Sequence, residues 1–361
     1  MLKRTWMTPA LAVALLLSVA ACGDDDPGAS VGASASPSEA AAGGEQVTLR
    51  LGYFPNVTHA TALVGVESGT FAAALGADVE LETQTFNAGP EAVEALFAEA
   101  LDATFIGPNP AINAYAQSNG DAIRIISGST SGGASFVVRP DITGPEQLSG
   151  TKLATPQLGG TQDVALRAWL AEQGLETDIE GGGEVSILPQ ENSATLDAFK
   201  AGEIDGAWLP EPWATRLVLE GGAKVLFDER DIWPEGQFVT THLIVRTAFL
   251  EEHSDVVKKL LEGQVQATEL VSADAAAAQA QVNTQIEAIT GKALDDQVLA
   301  TAWDHLEFTV DPVASSLQTS ADHAIEIGLL DQVDLASPGI YDLSLLNEVL
   351  TANDQPAVED L

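Results

Sequence analysis

A second cysteine is missing from the 361-residue sequence: Cys22 stands alone, so no disulfide can form within the chain. Basic residues are scarce too, 15 Lys and Arg against 53 Asp and Glu, for a formal net charge of −38 at pH 7. A surface of that sign repels nucleic acid, and no basic stripe exists to override the repulsion. The five histidines fall in no spaced His/Cys/carboxylate motif, which argues against a metal site. Gly159-Gly160-Thr161 is not followed by the Gly-Lys-Ser/Thr of a phosphate-binding P-loop. Beyond residue 22 no apolar run approaches the roughly 20 residues of a membrane-spanning helix.

What is present begins with a leader. Residues 1–22, MLKRTWMTPALAVALLLSVAAC, set Lys3 and Arg4 ahead of an apolar run and small residues before Cys22, the pattern of a secretory signal peptide. The closing VAAC matches the bacterial lipobox. Cleavage is therefore expected to leave Cys22 as a lipid-bearing amino terminus on the outer face of the cytoplasmic membrane, each buried methylene contributing about 0.8 kcal/mol to the anchor. Residues 23–46, rich in Gly, Ala, Ser, Pro and Asp and without apolar periodicity, read as a flexible linker. Losing Lys3 and Arg4 takes the formal charge to about −40, counting unperturbed groups. Any anion site in such a chain must build positive potential with few basic side chains.

From residue 47 to 350 the chain has room for two lobes, expected at 47–140 together with 240–350, and at 141–239, with a tail at 351–361. Short apolar or β-rich segments at 48–52, 79–86, 103–106, 124–127 and 135–138 alternate with amphipathic ones, and 152–155, 185–188, 206–209, 224–227 and 238–245 continue the series. Gly89-Pro90-Glu91 opens a helical pattern, and another begins at Thr161. Alternation of this kind predicts an α/β fold with mainly parallel sheets covered by helices. Helices are expected at 253–283, 295–304 and after Ser315, as cover for the first lobe. Two crossings between lobes make a hinge.

In open α/β sheets ligands sit where strands run into helix N-termini. Five such loops here are rich in small polar residues and lack Lys and Arg: YFPNVTH (53–59), IGPNP (106–110), STSGG (129–133), PQLGGTQ (156–162) and WLPEPW (208–213). Helix N-termini offer unpaired N–H groups and partial positive charge, so they hold anions without basic side chains. Thr58 and Thr161 suit capping or ligand contact. A helix end supplies up to about 2 kcal/mol and each hydrogen bond to a charged group about 1.5 to 3, while micromolar affinity needs about 8. Two or three N-termini with a few hydroxyls suffice. Each loop alone also reads as ordinary structure: Asn109 as a turn, Trp208 and Trp213 as core, Glu211 as a solvated acid, His59 and His242 as satisfied polar histidines.

Four segments in order, LGYFPNVTHATALVGVESGTF, FIGPNPAINAY, ATPQLGGTQDVALRAWL and DGAWLPEPWATRLV, resemble the substrate-binding proteins of the aliphatic sulfonate, taurine and nitrate ABC transporters. The resemblance implies a two-lobed type II periplasmic-binding-protein fold, with the cleft lined by Phe54, Pro55, Asn56, Thr58, His59, Gly107, Asn109, Ser131, Gly132, Gly133, Gly160, Thr161, Gln162, Trp208, Glu211 and Trp213. Asn56, His59 and the strand bearing Thr241 and His242 resemble the sulfonate branch. The implied protein is a monomer without cofactor or metal, which binds a small anion, a sulfonate by preference, and passes it to a permease with its ATPase. Nitrate, bicarbonate or a thiamine precursor stays open as ligand, as does a sensing role in place of transport. Enzymes of pyrimidine synthesis share this fold, but no nucleophile or metal cluster is legible in the spacing.

Overall fold

The computed structural model describes residues 46–337 and 339–361. The leader, Cys22 and linker residues 23–45 lie outside the described residues. In chain order the strands are β1 (Val47–Tyr53), β2 (Val79–Thr85), β3 (Ala103–Ile106), β4 (Ile123–Gly132), β5 (Ala134–Val138), β6 (Lys152–Thr155), β7 (Ser186–Pro189), β8 (Gly206–Pro210), β9 (Lys224–Asp228), β10 (Val239–Arg246) and β11 (Leu306–Phe308). Apolar and β-branched residues dominate β3 and β10, which are buried along nearly their whole length, as strands covered by helices on both faces require.

These strands form a six-stranded sheet, β11-β4-β10-β3-β1-β2, and a five-stranded sheet, β7-β6-β8-β5-β9. β1 runs parallel to β2 and β3, and β6 parallel to β7 and β8. The strands that carry the chain across run the other way: β10 is antiparallel to β3 and β4, β5 to β8 and β9. The sheets are therefore mixed where mainly parallel ones were expected, because each crossing strand enters from the opposite sheet.

The first crossing falls at Gly132–Gly133, ahead of the expected one at residue 141, so residues 134–138 hydrogen-bond in the second sheet. Both glycines hold positive φ, 73° and 76°. A Cβ at Gly133 would come within 2.1 Å of Leu306 Cδ2, and one at Gly132 within 2.7 Å of the His305 carbonyl oxygen, so this turn requires glycine.

Leu49, Leu51, Phe105, Ile125 and Leu243 of the first sheet bury against Phe71 and Leu260. The second sheet has a core on each face, divided by the period-two alternation of β8. Trp208 packs with Phe136 and Leu166 on one side; Ala207 and Leu209 pack with Leu196 and Phe199 on the other. The single helix expected at 253–283 breaks at Asp274 into Ser254–Ala273 and Ala275–Thr290. The Asp274 carboxyl accepts the Ala277 N–H and so caps the second helix.

Candidate functional site

Four helices of eight residues or more aim their first turns into the space between the sheets: Gly89–Phe97, Pro108–Gln117, Thr161–Glu172 and Asn192–Ala201. A single turn, Val57–His59, joins them. Each follows the carboxyl end of a strand, and in none does the preceding residue cap the turn with its own side chain. First-turn N–H groups have no partner within a helix, so the positive dipole ends converge on one chamber, together with the first-turn donors other than at Pro90, Pro108 and Pro110, which have no N–H.

That chamber has a volume of about 40 Å³ and is lined by Phe54, Asn56, Thr58, His59, Asn87, Ala88, Gly89, Gly107, Pro110, Pro156, Gly160, Thr161, Gln162, Asn192, Pro210, Thr240 and Thr241. No Lys, Arg, Asp or Glu is among them. His59 is the one ionisable side chain of the lining, and burial pushes its imidazole down to about 3, so it is neutral at physiological pH. Its ring stacks on Phe54 at 4.4 Å between centroids. Nδ1 accepts the Phe54 N–H at 3.3 Å, which leaves the proton on Nε2 and makes the ring a donor.

Two polar atoms in this lining are buried without a partner: Thr161 Oγ1 and Asn192 Oδ1. Their residues are 7% and 8% exposed. An orphaned buried hydroxyl or amide costs about 1 to 3 kcal/mol, so both point to something that binds here. A half-turn of the Asn192 amide would present its NH₂ donors instead. Gly107 packs against the Thr161 hydroxyl, where any Cβ would come within 2.3 Å of Oγ1. Asp163 secures the adjoining loop: it accepts from the Thr155 hydroxyl at 2.8 Å, the Gly159 N–H at 3.0 Å and Arg167 Nε at 3.0 Å.

A second, larger cavity of about 660 Å³ lies outward, lined by Pro55, Pro212, Trp213, Arg216, Glu220, Lys292 and Asp295 with apolar neighbours. One of its cations is already paired: Arg216 Nε donates to Glu220 at 2.6 Å while lying 4.5 Å above the Trp213 ring. Between the two spaces Trp213 Nε1 donates to Asn56 Oδ1 at 3.0 Å. This bond joins a segment of the second sheet's helical layer to the loop after β1. Two more bridges do the same: the Thr58 N–H to the Glu211 carbonyl at 3.4 Å, and Asn87 Nδ2 to Glu191 Oε1 at 3.5 Å.

Phe54, Asn56, Thr58, His59, Gly107, Gly160, Thr161, Gln162 and Thr241 of the sequence-based set thus meet in one chamber. Pro55 and Trp213 belong to the outer cavity. The rest are corrections, since they line neither space. Asn109 Nδ2 donates to the Ser320 carbonyl at 2.9 Å. Trp208 is core, its Nε1 donating to Glu229 Oε2 at 2.6 Å. His242 Nε2 faces the Pro312 carbonyl at 3.0 Å. Ser131 and Gly132 pair with β11 in the first sheet, and Gly133 forms the crossing. Glu211 is fully buried against Thr215 and His305. Sequence reasoning missed Asn87, Gly89 and Asn192. The same strand-to-helix rule that selected Thr161 applies to Asn192 behind β7 and would have found it. Among the described residues, no group of three or more His, Cys, Asp or Glu could hold a metal ion.

A model of the NMT1-like family matches residues 42–285. The taurine-binding periplasmic protein of Escherichia coli (strain K12) is 28% identical over 207 residues, 57% of this chain and 61% of that protein. The chain thus matches less than two thirds of that relative's length. The alkanesulfonate-binding protein of Xanthomonas axonopodis pv. citri, solved bound to MOPS, superposes with a TM-score of 0.68 at 20% identity, over 82% of this chain and 98% of that one. The periplasmic nitrate-binding protein of Synechocystis PCC 6803 superposes at 0.69 with 15% identity, over 88% and 92%. At these identities the likeness is one of fold, and it agrees with the two-lobed α/β architecture expected from the sequence.

Proposed function

The chain belongs to the NMT1-like family, and from that membership we propose that it is an exported solute-binding lipoprotein of an ABC importer. It closes its lobes on a small anion, an aliphatic sulfonate, and delivers it to a membrane permease. One observation carries the reading: uncapped helix N-termini and the orphaned Thr161 and Asn192 side chains meet in a chamber with no ionised side chain of its own. Fixed N–H dipoles in a small, desolvated space hold an anion more strongly than they would in water, and they carry none of the desolvation cost of a buried arginine. The relatives named above are binding proteins for taurine, alkanesulfonate and nitrate, and this chain is read as a binding protein, not an enzyme.

Within that class the lining favours sulfonates without an amine. The chamber contains no carboxylate to pair an ammonium group, so taurine's amine would lose water without gaining a partner. One observation favours a second reading, nitrate or bicarbonate: about 40 Å³ is room for only a few water-sized groups, on the basis that each needs about 10 to 15 Å³ of such volume. Thermal unfolding with ethanesulfonate, taurine, nitrate and bicarbonate separates the readings, because a ligand of the native state raises Tm as RT ln(1 + [L]/Kd). Ethanesulfonate is expected to give the largest shift. A shift with nitrate alone would replace the sulfonate, and no shift with any anion would count against the chamber as the site.

Anchoring rests on the leader and on Cys22. A Cys22→Ser chain is expected to leave the membrane or remain uncleaved, and a variant that stays acylated and membrane-bound after alkaline washing would remove the lipid assignment.

A further inference from the structure

We propose that Glu211 and His305 form a proton-dependent clasp across the cleft, so that closure, and with it ligand affinity, weakens as the medium turns alkaline. This rests on the reading of the chamber as a ligand site between lobes that open and close. Neither residue lines the chamber. Glu211 follows β8 of the second sheet and is fully buried; its oxygens accept the Thr215 N–H at 3.1 Å and the Thr215 hydroxyl at 2.9 Å. His305 stands just before β11 of the first sheet, its side chain 27% exposed, and its Nδ1 lies 2.6 Å from Glu211 Oε1. The contact therefore spans the two bodies through side chains alone, beside the Gly132–Gly133 crossing that any opening must bend.

The charged groups facing His305 are Glu211, Asp228 and Arg230. Arg230 is itself paired to Asp228 at 2.7 Å, so these two oppose each other and Glu211 decides the outcome. Its hydrogen bond raises the His305 imidazole above the ordinary 6.5, against the opposing effect of burial. Opening the cleft removes Glu211 and returns the ring to its ordinary value. Closure is thus favoured in full below about 6.5, and the advantage is lost as pH rises through the raised value of the closed form. A neutral imidazole would leave the buried Glu211 carboxyl with neutral donors only, the Thr215 N–H and hydroxyl among them, and separation, which hydrates it, then becomes the cheaper state.

Three readouts on the full chain test the clasp. The first is the Kd of ethanesulfonate by isothermal titration at pH 5.5, 7.0 and 8.5; it is expected to rise about five-fold across this range, at the low end of ordinary coupling between sites. His305→Gln should bind with a Kd that no longer depends on pH, whereas His305→Lys, charged throughout, should keep the tight value at pH 8.5. Glu229 is the rival source of a pH effect: burial pushes its carboxyl up to about 7, and it shares a small cavity with Thr161. A slope that survives His305→Gln and disappears in Glu229→Gln would overturn the clasp. The third readout is the imidazole titration of His305 by NMR, taken with whichever anion of the thermal screen closes the lobes. If ethanesulfonate fails to bind at any pH, the sulfonate reading falls while a ring titrating above 6.5 in that closed form still supports the clasp; a ring at or below 6.5 there overturns it.

Discussion

The inner chamber and the outer cavity differ in almost every respect that matters for recognition, and in the proposed reading the smaller one holds the anion. The outer cavity has more than ten times the volume and contains Arg216 and Lys292, yet Arg216 is already hydrogen-bonded to Glu220. The inner chamber has no cation at all, but Thr161 Oγ1 and Asn192 Oδ1 in its lining have no other partner. An unsatisfied, immobile dipole is worth more to an anion than a charge that has been neutralised and remains hydrated.

The most severe way to break the comparison is to put a charge into the chamber. Asn192→Asp places a carboxylate at the mouth of the helix it opens, where like charges about 4 Å apart repel by roughly 4 kcal/mol at an effective dielectric constant of 20. Ethanesulfonate binding is expected to fall by about a thousandfold at pH 7 in calorimetry, against roughly tenfold to a hundredfold for Asn192→Ala, which removes one hydrogen bond to the charged ligand. Equal losses from the two would mean that Asn192 does not face the anion.

Next in size is Thr161→Pro. Proline is tolerated in the first turn of a helix, so the fold is retained while one N–H donor is lost. The expected cost is one charge-assisted hydrogen bond, about 1.5 to 3 kcal/mol or more than tenfold in Kd. Thr161→Ala, which keeps the N–H, should cost less. Unchanged binding in the proline variant would show that the backbone of this helix does not hold the ligand.

Much of this was legible before any coordinates. Turn chemistry at helix starts, as in GGTQ and GPNP, marks strand-to-helix loops whatever the tertiary structure, which is why the pattern points to Gly107, Gly160 and Thr161, all of which line the chamber. Side-chain direction is another matter. In β8, Trp208 and Leu209 are adjacent in sequence and point to opposite cores, and only sheet pairing decides which face meets the cleft. Asn109 likewise sits in a ligand-type loop and turns inward to Ser320. The Glu211–His305 contact joins residues 94 apart in the chain. No local pattern announces such a pair, and the alanine-rich region around His305 had read as cover for the first lobe.

The smallest expected effect belongs to the outer cavity and is the one that sharpens the comparison most. Arg216→Gln removes the cation nearest the latch formed by Trp213 and Asn56. If long-range attraction drew the anion in, this change should weaken binding strongly in a chain with so few bases. The geometry argues otherwise. Glu220 sits 2.6 Å from Arg216 Nε, so from the chamber the two look like a dipole whose field decays faster than that of a charge. What remains is screened over about 10 Å at 0.1 M salt. The loss of affinity is therefore expected to stay below about twofold and to vanish as salt is raised, since exposed or half-exposed pairs of this kind contribute roughly 0 to 1 kcal/mol. Titrating ethanesulfonate into Arg216→Gln at low and high salt decides it: a tenfold loss that persists at high salt would place the anion against Arg216 and transfer the site to the outer cavity.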